Sequence, residues 1–570
     1  MQWTGPHDAG DEPVRISQRA VLQRAVPRPA VSPWAVPPLA AACALVAIAT
    51  GCGTPPPPPP PAPSAEVRVT PVVSEEVREQ LLDGAVSVLS CLDDYDEDSA
   101  FAQVFDRLNQ WSHGGGGGRS EWRIDPLFAR LPARLRAGVP EESLASSVFD
   151  ATADVQSLRD QRWLADIAAS ARGEALEDLD VAVNLFRWTV RSLALVSDPP
   201  LVPVEGNPGT RWFLPGEILL SGRASAAQRA WIFLQLLRHA GLDGVMLATG
   251  DPAAGTQRAW IPALVAGGEA WLFEPAYGMP IAGPDGTGVA TARQAAADPT
   301  VLGRLSLPDR PYPVSADDVA GLSVLVAGDP WTLSRRMLDI DRQLAGARAM
   351  RLALDASAVA RRGAAALPAA GGAESVAIGL WEFPFEVLAQ RRADMPRVQP
   401  ALARELGVMT LAIAEPSGQG RAPRMVRPLY VARLREFRGD LDGADGAKLA
   451  YLQARPGRQA IAEAVRALPP DRADGAKRLF EQMKEDATYW LGILTLGEGE
   501  FATAADYLGR MTLEAAPDSR WADAARVNLA RALVALGRTG EASRLLREDA
   551  SPQRFGSRLL ADELEKSPRP

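Results

Sequence analysis

At 570 residues, 47% hydrophobic and 23% charged, the chain is long enough for several domains with cores of their own and is neither disordered nor fibrous in composition. The formal net charge is −9; residues 1–51 carry four arginines against three acidic residues, so the remainder stands at −10 and offers no basic footprint for nucleic acid. Three cysteines (Cys43, Cys52, Cys91) and three histidines (His7, His113, His239) are too few and too scattered for a Cys/His zinc site, and no metal or cofactor is expected.

Arg15, Arg19, Arg24 and Arg28 precede an apolar run of 11 residues, Leu39 to Ala49. That length suits the core of an export signal and is about half of what spans a bilayer. Ala49-Thr50-Gly51-Cys52 follows at once. Small residues before a cysteine at the end of such a run resemble the lipobox of bacterial lipoproteins, with Ala49 where Leu is more usual. The resemblance implies removal of the signal peptide 1–51, lipidation of Cys52, and attachment to a membrane of the cell envelope, facing the periplasm or the exterior. Pro55 to Pro61 and Pro63 place an extended polyproline tether within residues 52–74; at about 3.1 Å per residue it lifts the folded part roughly 25–30 Å off the surface. Cys91 is then left without an intrachain disulfide partner.

Residues 75–146 read as an N-terminal helical region, with Leu81, Leu82, Val86, Val88 and Leu89, then Phe101, Val104, Phe105 and Leu108, at helical spacing. Between these runs, Asp93, Asp94, Asp96, Glu97 and Asp98 have a D-x-D-x-D rhythm, but no glycine follows at the sixth position and Phe105 stands where a calcium loop needs Glu, so the cluster reads as a solvated connection. Cys91 reads as an inert core cysteine of an apolar helix. Gly114 to Gly118 is a loop without the Lys-Ser/Thr pair of a phosphate cradle. From residue 147 two helices are expected, the second carrying Leu179, Val181, Leu185, Phe186, Trp188, Val190 and Leu193, then a Pro/Gly-rich connection from Pro199 to Gly222. Ala226 to Ala240 is apolar on nearly every side and predicts a buried helix, stopped by Gly241.

The period then changes to that of strands: Val245 to Thr249, Ala259 to Val265, and Trp271 to Phe273 after a Gly267-Gly268 turn. Helices followed by an antiparallel meander predict an α+β domain over residues 147–300. Residues 301–470 read as a mainly helical connecting region, notably Trp331 to Leu354, with a boundary or loop at Gly363 to Gly372 and no clear assignment over 376–450. In residues 471–570, Leu491-Gly492, Gly499, Ala504 and Leu508 recur 38 residues later as Leu529-Ala530, Gly537, Ala542 and Leu546. Small residues at facing positions with a glycine at each turn resemble tetratricopeptide repeats, an all-α array.

Four blocks stand in order over about 90 residues: Phe186-Arg187-Trp188-Thr189-Val190-Arg191, Leu236-Leu237-Arg238-His239-Ala240-Gly241-Leu242, Arg258-Ala259-Trp260, and Trp271-Leu272-Phe273-Glu274-Pro275. The series resembles the transglutaminase-like, papain-related fold. The family's chemistry needs a thiolate at the start of the core helix, an imidazole to exchange its proton and a carboxylate to orient the ring. Matched block by block, the nucleophile position falls at or near Ala226, the histidine position holds Arg258 and the carboxylate position holds Glu274. Arg258 stays cationic and is no base, and no cysteine occurs after Cys91. The resemblance therefore implies a degenerate site, with Glu274 as an ion-pair partner for Arg258 and both lining a polar groove.

Ser225, next to the nucleophile position, has no general base. His239 reads as a helix C-terminal cation or a hydrogen-bonded core histidine. The tryptophans at 188, 231, 260 and 271 read as core. The expectation is a membrane-tethered, non-catalytic scaffold that binds a protein or peptide partner through the degenerate domain and the repeats. The alternatives are an amide-bond enzyme with displaced residues, Ser225 or Cys91 among them, acting on protein or cell-wall peptides, and an envelope protein with no discrete ligand.

Overall fold

In the computed structural model the described residues are 74–113, 121–197, 212–368, 372–415, 424–466 and 468–566. The signal peptide, Cys52, nearly all of the tether, the Gly114 to Gly118 loop and most of the Pro/Gly connection lie outside them.

Helix α1 (Glu75–Ser90) opens where Ser74 accepts the Val77 N–H, and buries Leu82, Val86 and Leu89 with Val104, Leu108 and Trp111 of α2 (Glu97–His113). Helices α3 (Ala153–Ala171), α4 (Asp178–Ser192) and α5 (Pro215–Ser221) lead to α6 (Ala226–His239). As its composition predicts, α6 is buried on most sides: Ala230 to Leu234, Leu236 and Leu237 are all in the core.

A six-stranded sheet follows: β1 (Asp243–Thr249), β2 (Arg258–Ala266), β3 (Glu269–Glu274), β4 (Met279–Pro280), β5 (Ser323–Val326) and β6 (Ile378–Leu380), in spatial order β4-β3-β2-β1-β5-β6. Every pairing is antiparallel except β5 with β6. The sheet is thus mixed, and it continues past residue 300, where the sequence placed the end of the α+β domain. Alternation along β1 shows the layering: Met246 and Ala248 join the core that holds α6, whereas Val245 and Leu247 join a second core on the opposite face. Helix α7 (Ala356–Ala365) covers that second face so closely that a Cβ on Gly363 would stand 3.0 Å from Val324 and 3.1 Å from Val245. Gly363, read as the start of a boundary or a loop, is therefore a contact residue inside a helix.

The expected run from Trp331 to Leu354 shrinks to one helix, Arg335–Asp341, and a 3-10 turn, Gly346–Arg348. The Asp341 carboxylate accepts the N–H groups of Leu352 and Ala353 and so ties the following segment back without helix. Further on come α8 (Pro428–Arg438) and the long α9 (Pro470–Gly497). The chain then turns into α10 (Phe501–Ala505), which continues as a π-helix over Asp506–Glu514. Helices α11 (Ala522–Ala535) and α12 (Thr539–Arg547) form a second hairpin, against which α13 (Arg554–Lys566) packs.

These helices pack against the earlier body but hold apolar clusters of their own, one of which reaches back to Ala194. Gly222 ends α5 at φ +62°, and a Cβ on it would fall 2.2 Å from Trp490. Trp490 packs in turn against Trp521, which stacks on Tyr489 at 4.3 Å and donates its Nε1–H to Asp486 at 2.6 Å.

Candidate functional site

The N-terminus of α6 is where the nucleophile position falls. Ala226 is its first residue, and Ser225 caps it: the Ser225 hydroxyl accepts the Gln228 N–H at 3.3 Å while Gln228 Oε1 accepts the Ser225 N–H at 3.0 Å. This reciprocal box commits the Ser225 hydroxyl to backbone satisfaction. One turn on, the buried Arg229 donates Nε and Nη2 to the Leu193 carbonyl (2.9 and 2.6 Å) and Nη1 to the Pro275 carbonyl and Gln553 Oε1 (both 3.0 Å). It stitches the helix start to the end of β3 and to the segment before α13. Burial lowers its pKa to about 9, which still leaves it charged at neutral pH.

Glu274, at the end of β3, is only 6% exposed. Its carboxylate accepts the Tyr312 hydroxyl and the Ala276 N–H at 2.9 Å, and Tyr312 in turn accepts the Trp260 Nε1–H at 2.9 Å. Burial pushes the Glu274 pKa up, against hydrogen bonds from Tyr312, Ala276 and Tyr277 that favour the charged form. Arg258 stands exposed at the start of β2 opposite Thr249. The expected Arg258–Glu274 ion pair is not among the ion pairs of the described residues. The cause is register: the pairing that sets Ala263 against Leu272 carries Glu274 to the level of Ile261, not of Arg258.

The expected polar groove is closed as well. Tyr277 packs on Tyr312 at 5.6 Å and on Phe555 at 6.4 Å, Arg310 lies 3.7 Å over the Phe555 ring, and a Cβ on Gly556 would stand 2.0 Å from the Tyr277 carbonyl oxygen. The start of α13 is thus pressed over the end of β3. The three singled-out positions become a helix start, an exposed strand end and a buried acceptor, not one reactive constellation.

The other candidates resolve individually. Cys91 is exposed at the C-terminal cap of α1, not in the core, because the helix ends at Ser90. His239 donates Nε2–H to Gln161 Oε1 at 2.9 Å and accepts the Arg351 N–H at Nδ1, 3.3 Å. Burial, then the nearby Arg238, Arg162 and Arg351, holds its pKa well below the usual range, so it is the neutral hydrogen-bonded histidine and not the helix-end cation. In the acidic cluster, Asp93 receives both Arg438 Nη atoms (2.8 and 3.0 Å), Asp96 binds Ser99, and Glu97 receives Arg159 and Arg427 (2.8 and 3.1 Å). Trp188 and Trp231 are buried; Trp260 and Trp271 are partly buried with their N–H groups bonded. Among the described residues no group of three His, Cys, Asp or Glu is arranged to hold a metal ion, and no helix is long and apolar enough to cross a membrane.

The groove between the two C-terminal hairpins has no mark in the sequence. A cavity of about 500 Å³ lies between the π-helix, α11 and α12. Gly509, Leu529, Leu533 and Leu545 line it on the apolar side; Arg510, Arg538 and Arg544 supply positive charge, and Asp506, Glu514, Glu541 and Glu548 supply negative charge. Arg510 pairs with Asp506 (2.7 Å) and Arg538 with Glu541 (2.7 Å), all four being well exposed. The repeated glycines and alanines foretell the hairpins. The π register that sets the groove wall has no such mark.

No protein-family model, curated protein or solved structure matches the chain. The geometry defines an α+β body, a mixed sheet between two cores, joined through shared packing to helical hairpins with a charged, apolar-floored groove.

Proposed function

We propose that the chain is a lipid-tethered envelope protein that acts as a non-catalytic scaffold, holding a peptide segment of a protein partner in the groove of its C-terminal repeats. The groove carries this reading: an open concavity with an apolar floor and exposed charges of both signs suits an extended or helical peptide with mixed charge. In this reading the hairpins are tetratricopeptide-like, and the body is a transglutaminase-like domain whose reactive positions have become structural. Ser225 as a cap, Arg229 as a buried stitch and Glu274 under Tyr312 and Tyr277 support that view, and leave the N-terminus of α6 nothing with which to attack an amide. Anchorage by lipid on Cys52 rests on the lipobox resemblance alone.

The test is capture from envelope extract by the full chain beside a variant with Arg510→Glu, Arg538→Glu and Arg544→Glu. Loss of the partner from the variant is expected. A partner retained by the variant, or peptide turnover that disappears with Ser225→Ala or Cys91→Ala, overturns the proposal.

A further inference from the structure

Where α4 meets the ends of α9 and α11, the protein gathers positive charge that its own carboxylates do not balance. Arg187 and Arg191 lie one turn apart on α4 and so share a helix face. Arg531 approaches from α11, and Asn528 joins the two helices: its Nδ2 donates to the Arg191 carbonyl at 3.2 Å and its Oδ1 accepts from Arg531 Nη1 at 2.9 Å. Arg229 lies buried beside them, within the repulsive field of Arg531.

The balance of charge is one-sided. The fork of Arg191 lies over the end of α9, with Cζ, Nη1 and Nη2 at 3.0, 3.0 and 3.1 Å from where a Cβ on Gly497 would stand, and its Nε is buried without a hydrogen-bond partner. The C-terminal end of α9 offers about half a negative charge, which offsets one guanidinium in part. Among the described residues, Glu436 acts on Arg191 but is already held by Arg433 at 2.8 Å and by the Tyr451 hydroxyl, while Arg229 and Arg531 are offset by Tyr489 and by no carboxylate. Burial first, then repulsion from Arg191 and Arg187, lowers the Arg531 pKa to about 10. Arg187 is exposed and Arg191 and Arg531 are partly buried, so the cluster opens to solvent.

We propose that Arg187, Arg191 and Arg531 form a binding site for a phosphate-class oxyanion, carried by a soluble phosphate compound or by an anionic lipid headgroup. Three planar forks from two helices suit a tetrahedral dianion, which accepts hydrogen bonds from several directions, whereas a carboxylate is satisfied by one fork. Arg229 adds charge from behind while its own donors stay on carbonyls.

The experiment titrates inorganic pyrophosphate into the full chain carrying Cys52→Ser, by calorimetry at fixed ionic strength, beside Arg187→Gln, Arg191→Gln and Arg531→Gln. Arg397→Gln serves as a control that removes an exposed cation elsewhere. The expected result is binding to the parent and the control, weakened at least tenfold in each cluster variant. Thermal midpoints without ligand are expected to be unchanged or raised in Arg531→Gln, because a repelled, half-buried charge is removed. Arg187 is exposed, so its variant keeps the test alive should the others fold poorly. Vesicles of phosphatidylglycerol, compared with phosphatidylcholine, identify the source: retention on the former that pyrophosphate displaces assigns a lipid headgroup, and pyrophosphate binding without retention assigns a soluble phosphate. No binding by the parent, or equal binding by parent and all three cluster variants, overturns the site.

Discussion

Gly222 and Gly241 offer a controlled pair of perturbations. Both have positive φ, +62° and +80°, so an alanine at either pays about 1–2 kcal/mol for the left-handed conformation, less about 0.4–1 kcal/mol gained by stiffening the unfolded chain. Their surroundings differ. A Cβ at Gly241 has nothing within 4 Å, whereas at Gly222 it falls 2.2 Å from both Cη2 and Cζ2 of Trp490, a buried ring wedged against Trp521 that has no room to retreat. Overpacking of this kind costs about 1–3 kcal/mol. Gly222→Ala is therefore expected to lose about 2–4 kcal/mol and Gly241→Ala about 1 kcal/mol or less. Urea unfolding followed by tryptophan fluorescence measures both, and a single transition shifted to lower midpoint at unchanged slope is expected. Equal losses, within about 0.5 kcal/mol, refute the claim that the α+β body and the C-terminal helices are tightly packed against each other at this seam.

Two further outcomes follow from buried polar groups. His239 is held neutral in the folded state, so the unfolded chain binds the extra proton below about pH 6.5; stability is full above that pH and falls as pH drops through it. In His239→Gln the fall over that window should shrink, measured as urea midpoint against pH, and an unchanged profile counts against the assignment. Tyr312→Phe strands the Trp260 N–H and one oxygen of Glu274, at a cost of about 1–3 kcal/mol. Because losing that donor raises the already raised Glu274 pKa further, the loss should grow as pH rises past the parent's raised folded-state pKa, where the parent carboxylate ionises and the variant's is still protonated. A loss that is the same at pH 5 and pH 8 contradicts the buried carboxylate's role.

The elements with a long period were legible: α6, the β1–β3 meander and both hairpins stand where apolar spacing and glycines put them. What escaped was short or distant. The strands Ser323–Val326 and Ile378–Leu380 have four and three residues, too few to display alternation, so the sheet seemed to end at residue 300. The surroundings of the singled-out positions are set by partners remote in sequence: Tyr312 lies 38 residues from Glu274, and Gln553 lies 324 residues from Arg229. Local pattern placed Arg258 and Glu274 on neighbouring strands, but the register that keeps them apart depends on where pairing begins at the Gly267-Gly268 turn. Cys91 looked buried because its neighbours are apolar, and the helix end at Ser90 turns it outward.

The proposal that the protein holds its partner in the groove of its C-terminal hairpins, and not at the end of the sheet where Arg258 stands, is tested most directly by site-specific photo-crosslinking in the cell. A crosslinking residue is placed at Leu533, in the groove, and in a second chain at Arg258, on the exposed strand end. The account predicts a discrete crosslinked partner from position 533, lost with Arg510→Glu, Arg538→Glu and Arg544→Glu, and none from position 258. A partner captured at 258 and absent at 533 contradicts it.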